Sequence, residues 1–182
     1  MTEKEFIDRI KKRLSIIAVG ASALRNQGAP GIVEKSRNYF YGISLDEYFK
    51  KLPHQDKYSK FLDDHTTQLV KTYPKDGKSW GAARKGLNLF FREVAYNKFF
   101  SDHYKLPTEY IKFNEAVKHL EVPLDKDVAK GIYNDKKGIL PKWTSIKKLT
   151  KEDSDLYQKE ALNIAQKART ARINLDIKYW RQ

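Results

Sequence analysis

The sequence predicts an all-α protein, and three observations carry the prediction. Apolar residues recur at helical spacing along nearly the whole 182-residue chain. No run of strict polar/apolar alternation is long enough for a sheet. Glycines, prolines and capping residues fall between the periodic stretches rather than inside them. The length suits a single compact multi-helix domain over residues 1–182, either one body or two small lobes.

The elements follow in order. Phe6, Ile10, Leu14 and Ile17 place one apolar face on a helix from about Glu3 to Val19. Gly20, Gly28, Pro30 and Gly31 then punctuate the chain, and the intervening residues form either a short second helix or a loop with buried amides. A helix over about Ile32–Tyr41 follows. Ser44 and Glu47 have the spacing of a capping box, opening a helix that ends near Pro53. The next runs from about Asp56 to Tyr73, and Pro74–Gly77 turns the chain. A long helix from about Lys78 to His103 carries Leu87, Phe90, Phe91, Val94 and Ala95 at core spacing. Pro107 starts another, reaching about Leu120. Glu121–Leu124 is extended, because Pro123 steers Val122 away from helical angles. Asp125 stands as the N-cap of a helix to about Tyr133. Thr150 caps one to about Arg169, and Arg172–Trp180 closes the chain with a short amphipathic segment.

Composition narrows the function classes. A net charge of +13 and a sequence pI of 9.7 favour a polyanionic partner. With no cysteine there is no disulfide, thiolate metal site or Cys nucleophile, which fits a reducing compartment. No apolar run approaches a membrane span, and the first twenty residues lack the apolar core of a signal peptide, so a cytoplasmic protein is expected, nucleoid-associated if prokaryotic; a monomer is expected as well. His54, His65, His103 and His119 are scattered without ligand spacing, so no metal site is expected.

Two residues stand out chemically. Lys85 sits near the start of the long helix beside Arg84, on the side opposite the Leu87/Phe91 stripe, together with Asn88, Leu89, Arg92 and Tyr96. A lysine there has its pKa lowered by desolvation and by the neighbouring cation, which raises the fraction of nucleophilic free amine. Asp125 follows after one helix has run out and another has returned, at a helix start where backbone amides hold a carboxylate able to support a developing positive charge. Taken alone, Lys85 reads as an ordinary solvated lysine, and Asp125 is as readily a plain N-cap.

Together these residues resemble the helix-hairpin-helix DNA glycosylases: a helix opening with Lys78-Ser79-Trp80-Gly81-Ala82-Ala83-Arg84-Lys85, an intervening segment, then Val122-Pro123-Leu124-Asp125 leading into Val128-Ala129-Lys130. The Lys/Asp spacing and the closing Leu175-Asp176-Ile177-Lys178-Tyr179-Trp180 are most similar to the archaeal 8-oxoguanine glycosylase branch. The resemblance implies that Lys85 attacks the sugar C1′ and forms a Schiff base, and that Asp125 supports the charge that develops. It implies that Asp176 and Trp180 hold the extruded base, with Gln27 reading its edge. Lys78, Ser79, Gly81, Arg84 and Lys126 would grip the phosphates of double-stranded DNA containing a damaged base, without membrane or cofactor. Tyr48, Phe49 and Trp143 are candidates for a second ring against the base. The chain departs from the family where the Leu-Pro-Gly-Val-Gly hairpin is missing and where Asn174 stands for a histidine. Three other classes are weighed: a catalytically inactive all-helical nucleic-acid-binding protein, a helical regulator of an acidic partner, and, last, a metal-dependent hydrolase, which the scattered histidines disfavour.

Overall fold

A computed structural model describes residues 1–20, 23–24, 30–136 and 140–180. Among them lie ten α-helices and no strand: α1 (Glu3–Ala18), α2 (Ile32–Gly42), α3 (Leu45–Lys51), α4 (Gln55–Thr72), α5 (Trp80–Tyr96), α6 (Lys98–His103), α7 (Tyr110–Ala116), α8 (Lys126–Asp135), α9 (Lys151–Lys167) and α10 (Leu175–Tyr179). Three 3-10 turns, Lys75–Gly77, Ile146–Lys148 and Arg172–Asn174, join them. None of these helices is long and apolar enough to cross a membrane.

Helix α5 is the axis of the molecule. Every residue from Gly81 to Phe91 is buried, and α1, α2, α4, α6 and the Ile146–Lys148 turn pack around it. Tyr48 stacks on Phe91 at 4.6 Å and Phe40 on Phe90 at 5.1 Å. These rings belong to the larger of two apolar clusters, built mainly from α1 to α6. The smaller cluster gathers Val122, Leu124 and the inner faces of α8, α9 and α10. Trp143 packs against both. The three residues considered as a second base-stacking ring are therefore core: Tyr48 is fully buried, Phe49 stacks on Tyr104, and Trp143 sits between the clusters.

Local chemistry sets the ends of the elements. Thr2 and Glu5 form a reciprocal capping box on α1, and Ser44, Ser79 and Thr150 each accept an amide at the start of α3, α5 and α9. The expected helix 78–103 is divided. Asn97 takes extended angles and accepts from the Phe100 amide, ending α5 and capping α6 with one residue. The helix expected from Pro107 to Leu120 shrinks to α7, with an irregular stretch before it and a turn after it.

Candidate active site

A helix buried on all sides must satisfy every polar side chain it carries, because an unpaired buried charge costs several kcal/mol. Three such residues occur in sequence on α5: Arg84, Lys85 and Asn88. Each of the three has a partner on one segment, Glu121–Asp125, which runs extended and largely buried between α7 and α8, and α4 adds two more to Arg84.

Arg84 is satisfied several times over. Its Nε and Nη2 donate to Glu121 at 2.8 and 3.0 Å, its Nη1 donates to Thr66 at 3.0 Å, and Asp63 lies 2.8 Å from Nη2. Asn88 adds a hydrogen bond to Glu121 at 3.1 Å. Burial alone would push the Glu121 carboxyl up, but Arg84 and Arg172 together hold it below the usual carboxylate range.

Lys85, the next residue, is treated differently. Its Nζ donates to Asp125 Oδ2 at 3.4 Å, longer than a strong charged hydrogen bond, although its side chain is only 9% exposed. Desolvation lowers its pKa below the ordinary lysine value, and Arg92 pushes the same way, while Asp125 opposes both. Asp125 divides its oxygens: Oδ1 accepts the Asp127 and Val128 amides at 3.0 Å each as the N-cap of α8, leaving Oδ2 for the amine. The carboxylate is thereby fixed beside the amine.

The extended segment is itself held from both sides. Gln158 on α9 donates to the Val122 carbonyl at 2.7 Å and accepts from the Val122 amide at 3.1 Å, pairing with it as a neighbouring strand would. Arg172 donates to the carbonyls of His119, Leu120 and Gln158. These supports lie outside the expected site residues. Gln158 was findable, since it falls at core spacing with Ser154, Ala161 and Ala165 on α9.

Two turns along α5 from Lys85, Arg92 makes an ion pair with Asp176 of α10. The carboxylate expected to meet a base edge is thus engaged by a guanidinium in this structure. Tyr179 of α10 packs over Gly131 of α8 and donates to Asp135 at 2.6 Å, so α10 is pinned to α8 as well as to α5. Trp180 follows directly, 63% exposed. Beyond Arg92, a recess of ≈ 530 Å³ is lined by Tyr96, Tyr110, Phe113, Asn174 and Ile177. A larger cleft of ≈ 840 Å³, lined in part by Glu121, Gln158 and Arg172, excludes both Lys85 and Asp125.

Three expected phosphate-binding residues are placed inside the fold, with their polar groups or space already used. Arg84 is buried and its donors are taken by Glu121, Asp63 and Thr66. Ser79 is buried as the N-cap of α5, with its hydroxyl directed at the carbonyls of Ile146 and Lys147. Gly81 is needed for close packing, because a Cβ there would collide with the Ile146 carbonyl. Lys78 and Lys126 are exposed and remain able to meet a phosphate. Gln27 lies outside the described residues. Among the described residues no group of His, Cys, Asp and Glu could hold a metal ion. Comparison with protein-family models, with curated proteins and with solved structures finds no match, so the chemistry of the site is read from its own residues.

Proposed function

We propose that this protein is a DNA glycosylase with an associated abasic-site lyase step, working in the manner of the helix-hairpin-helix superfamily on an oxidised base, 8-oxoguanine first. The observation that carries the proposal is the contrast between neighbours: Arg84 is fully paired and structural, whereas buried Lys85 meets one carboxylate at 3.4 Å. A structural lysine gains from close pairing, and a nucleophilic one needs a lowered pKa and a free approach. We take α4, the Tyr73–Ser79 connection and α5 as the counterpart of the family's hairpin.

In this mechanism the lesion base leaves the stack, at a cost of a few kcal/mol that is smaller for a damaged pair. Neutral Lys85 attacks C1′ as the glycosidic bond breaks, and the base departs with the bonding electrons and takes up a proton. Asp125 stabilises the positive charge that develops at the sugar. Ring opening and loss of the amine proton give a Schiff base, which acidifies the C2′ hydrogen. Removal of that hydrogen expels the 3′ phosphate and nicks the strand. Trp180, with Asp176 once released from Arg92, would receive the base.

Borohydride tests this directly. A duplex carrying 8-oxoguanine, or one of a panel with uracil, thymine glycol and alkylated purines, should yield a covalent protein–DNA adduct that Lys85→Gln abolishes. An adduct that persists in the variant would remove Lys85 as nucleophile. The +13 charge by itself equally supports a catalytically inactive nucleic-acid-binding protein. Binding without free base or strand cleavage on any lesion would favour that second function.

A further inference from the structure

Some surface lysines of this chain are neutralised locally, and one connection carries a run that is not. On the helices five lysines are neutralised by acids three or four residues away: Lys51 by Glu47, Lys60 by Asp64, Lys98 by Asp102, Lys112 by Glu109 and Lys118 by Glu115. Between Asp135 and Glu152 the sequence has six lysines and no acidic residue. Of these, Lys142, Lys147 and Lys148 are exposed and make no ion pair with the described residues. What sets this connection apart from the other exposed cations is a run of lysines without an intervening acid.

That connection has a defined place. Its 3-10 turn, Ile146–Lys148, lies on the first turn of α5, with the Ile146 carbonyl against Gly81 and the Ser79 hydroxyl directed at the turn's carbonyls. Ile146 and Leu149 bury their side chains beneath it, and the Ser145 hydroxyl accepts the Lys148 amide. The turn is thus anchored, and its lysines project from a fixed base. Gly81 and Lys85 are four residues apart on one helix and share a face. The turn therefore sits about 6 Å along the helix axis from the amine-bearing residue. It also covers the helix start where a phosphate would otherwise meet free amides.

We infer that Lys142, Lys147 and Lys148 on the anchored 141–148 connection form a phosphate clamp for the DNA backbone, seated beside Lys85. The clamp rests on the proposed function only in taking DNA as the polyanion. A strand whose sugar faces Lys85 places its neighbouring phosphates alongside the first turn of α5. Three cations there neutralise phosphates without reading sequence, so the clamp contributes affinity and register rather than lesion choice. Lys78, exposed on the residue before Ser79, extends the same ridge.

The test compares two triple variants of equal charge in the full chain. One is Lys142→Ala/Lys147→Ala/Lys148→Ala; the other, Lys4→Ala/Lys12→Ala/Arg13→Ala, removes exposed cations of α1. Binding to an undamaged duplex is followed by fluorescence anisotropy across a salt series, with melting temperatures checked first. The clamp variant should lower the slope of log affinity against log salt by about 2 to 3, at roughly 0.9 for each phosphate no longer neutralised. The α1 variant should leave the slope unchanged. An unchanged slope in the clamp variant, or an equal fall in both, overturns the clamp. Wild-type DNA binding without any borohydride adduct would defeat the glycosylase function and leave the clamp standing. An adduct together with an unchanged slope would do the reverse.

Discussion

Within one dipeptide, Arg84 and Lys85 divide structure from chemistry, and their partners decide which is which. Asp125 has two effects on Lys85 that a substitution separates. It stabilises the positive charge at the sugar, and it raises the amine's pKa against desolvation. Asp125→Asn should therefore slow base release by about 10²-fold, the scale set by loss of one preorganised electrostatic group. On a duplex with a preformed abasic site, adduct formation should survive, with its pH midpoint moved down, because a group that favours the protonated amine has gone. Single-turnover assays over pH on the two substrates measure both; an unchanged rate of base release would make Asp125 only a helix cap. The Lys85/Asp125 pairing was legible through the family resemblance, since a helix opening and a Pro-directed N-cap mark the two residues one by one without joining them. The Arg92–Asp176 pair was not, since 84 residues separate its members and no local pattern links a guanidinium on one helix to a carboxylate on another.

At the scale of elements, the site is assembled by short segments held at both ends. Helix α10 has only five residues and depends on its docking for its position. Gly131 makes that docking possible, since any Cβ there would lie inside the Tyr179 ring, and the ring is anchored by its hydroxyl to Asp135. Gly131→Ala would gain up to about 1 kcal/mol of helix propensity on α8. Overpacking against a ring that cannot yield should cost about 1–3 kcal/mol, so the net change is destabilising. Thermal melting should fall by a few degrees, and α10 should move, carrying Asp176 away from Arg92. A stabilised Gly131→Ala variant would show that Tyr179 is free to move. Helix identity was legible for most elements, whereas their ends were not. Asn97 stops α5 with a single side-chain cap inside an unbroken apolar pattern. Ser79 and Gly81, expected at a phosphate, serve a turn that arrives from 65 residues further on, and nothing local in the sequence announces it.

For the molecule as a whole, the Glu121 cluster ties the two apolar cores together through α5, α4 and the extended segment. The Glu121 carboxyl is held below its ordinary range, so the folded state binds its proton less readily than the unfolded chain does. That difference stabilises the fold fully above the unfolded value of about 4.3 and is lost as pH falls through the folded value. Melting temperature should be flat from neutral pH to about 5 and drop below about 4. Glu121→Gln should cost about 3–5 kcal/mol at neutral pH by leaving Arg84 short of its main partner, and should flatten the acid limb. A variant with the wild-type acid limb would place the titrating group elsewhere. The all-α class was legible from periodicity, but a buried ionic cluster was not. A glutamate before Val-Pro-Leu reads as an ordinary charge until its partners, 37 and 33 residues away, are in place. The same arrangement sets what a transplant of this site into another scaffold has to carry. Two adjacent residues on one helix engage two residues four apart on an extended segment, Arg84 with Glu121 and Lys85 with Asp125. The outer pair fixes the register in which the inner pair meets. Moving the amine and the carboxylate alone would bring across reagents without an alignment, so the smallest portable unit is the four-residue cassette together with the Gln158 amide that pins it.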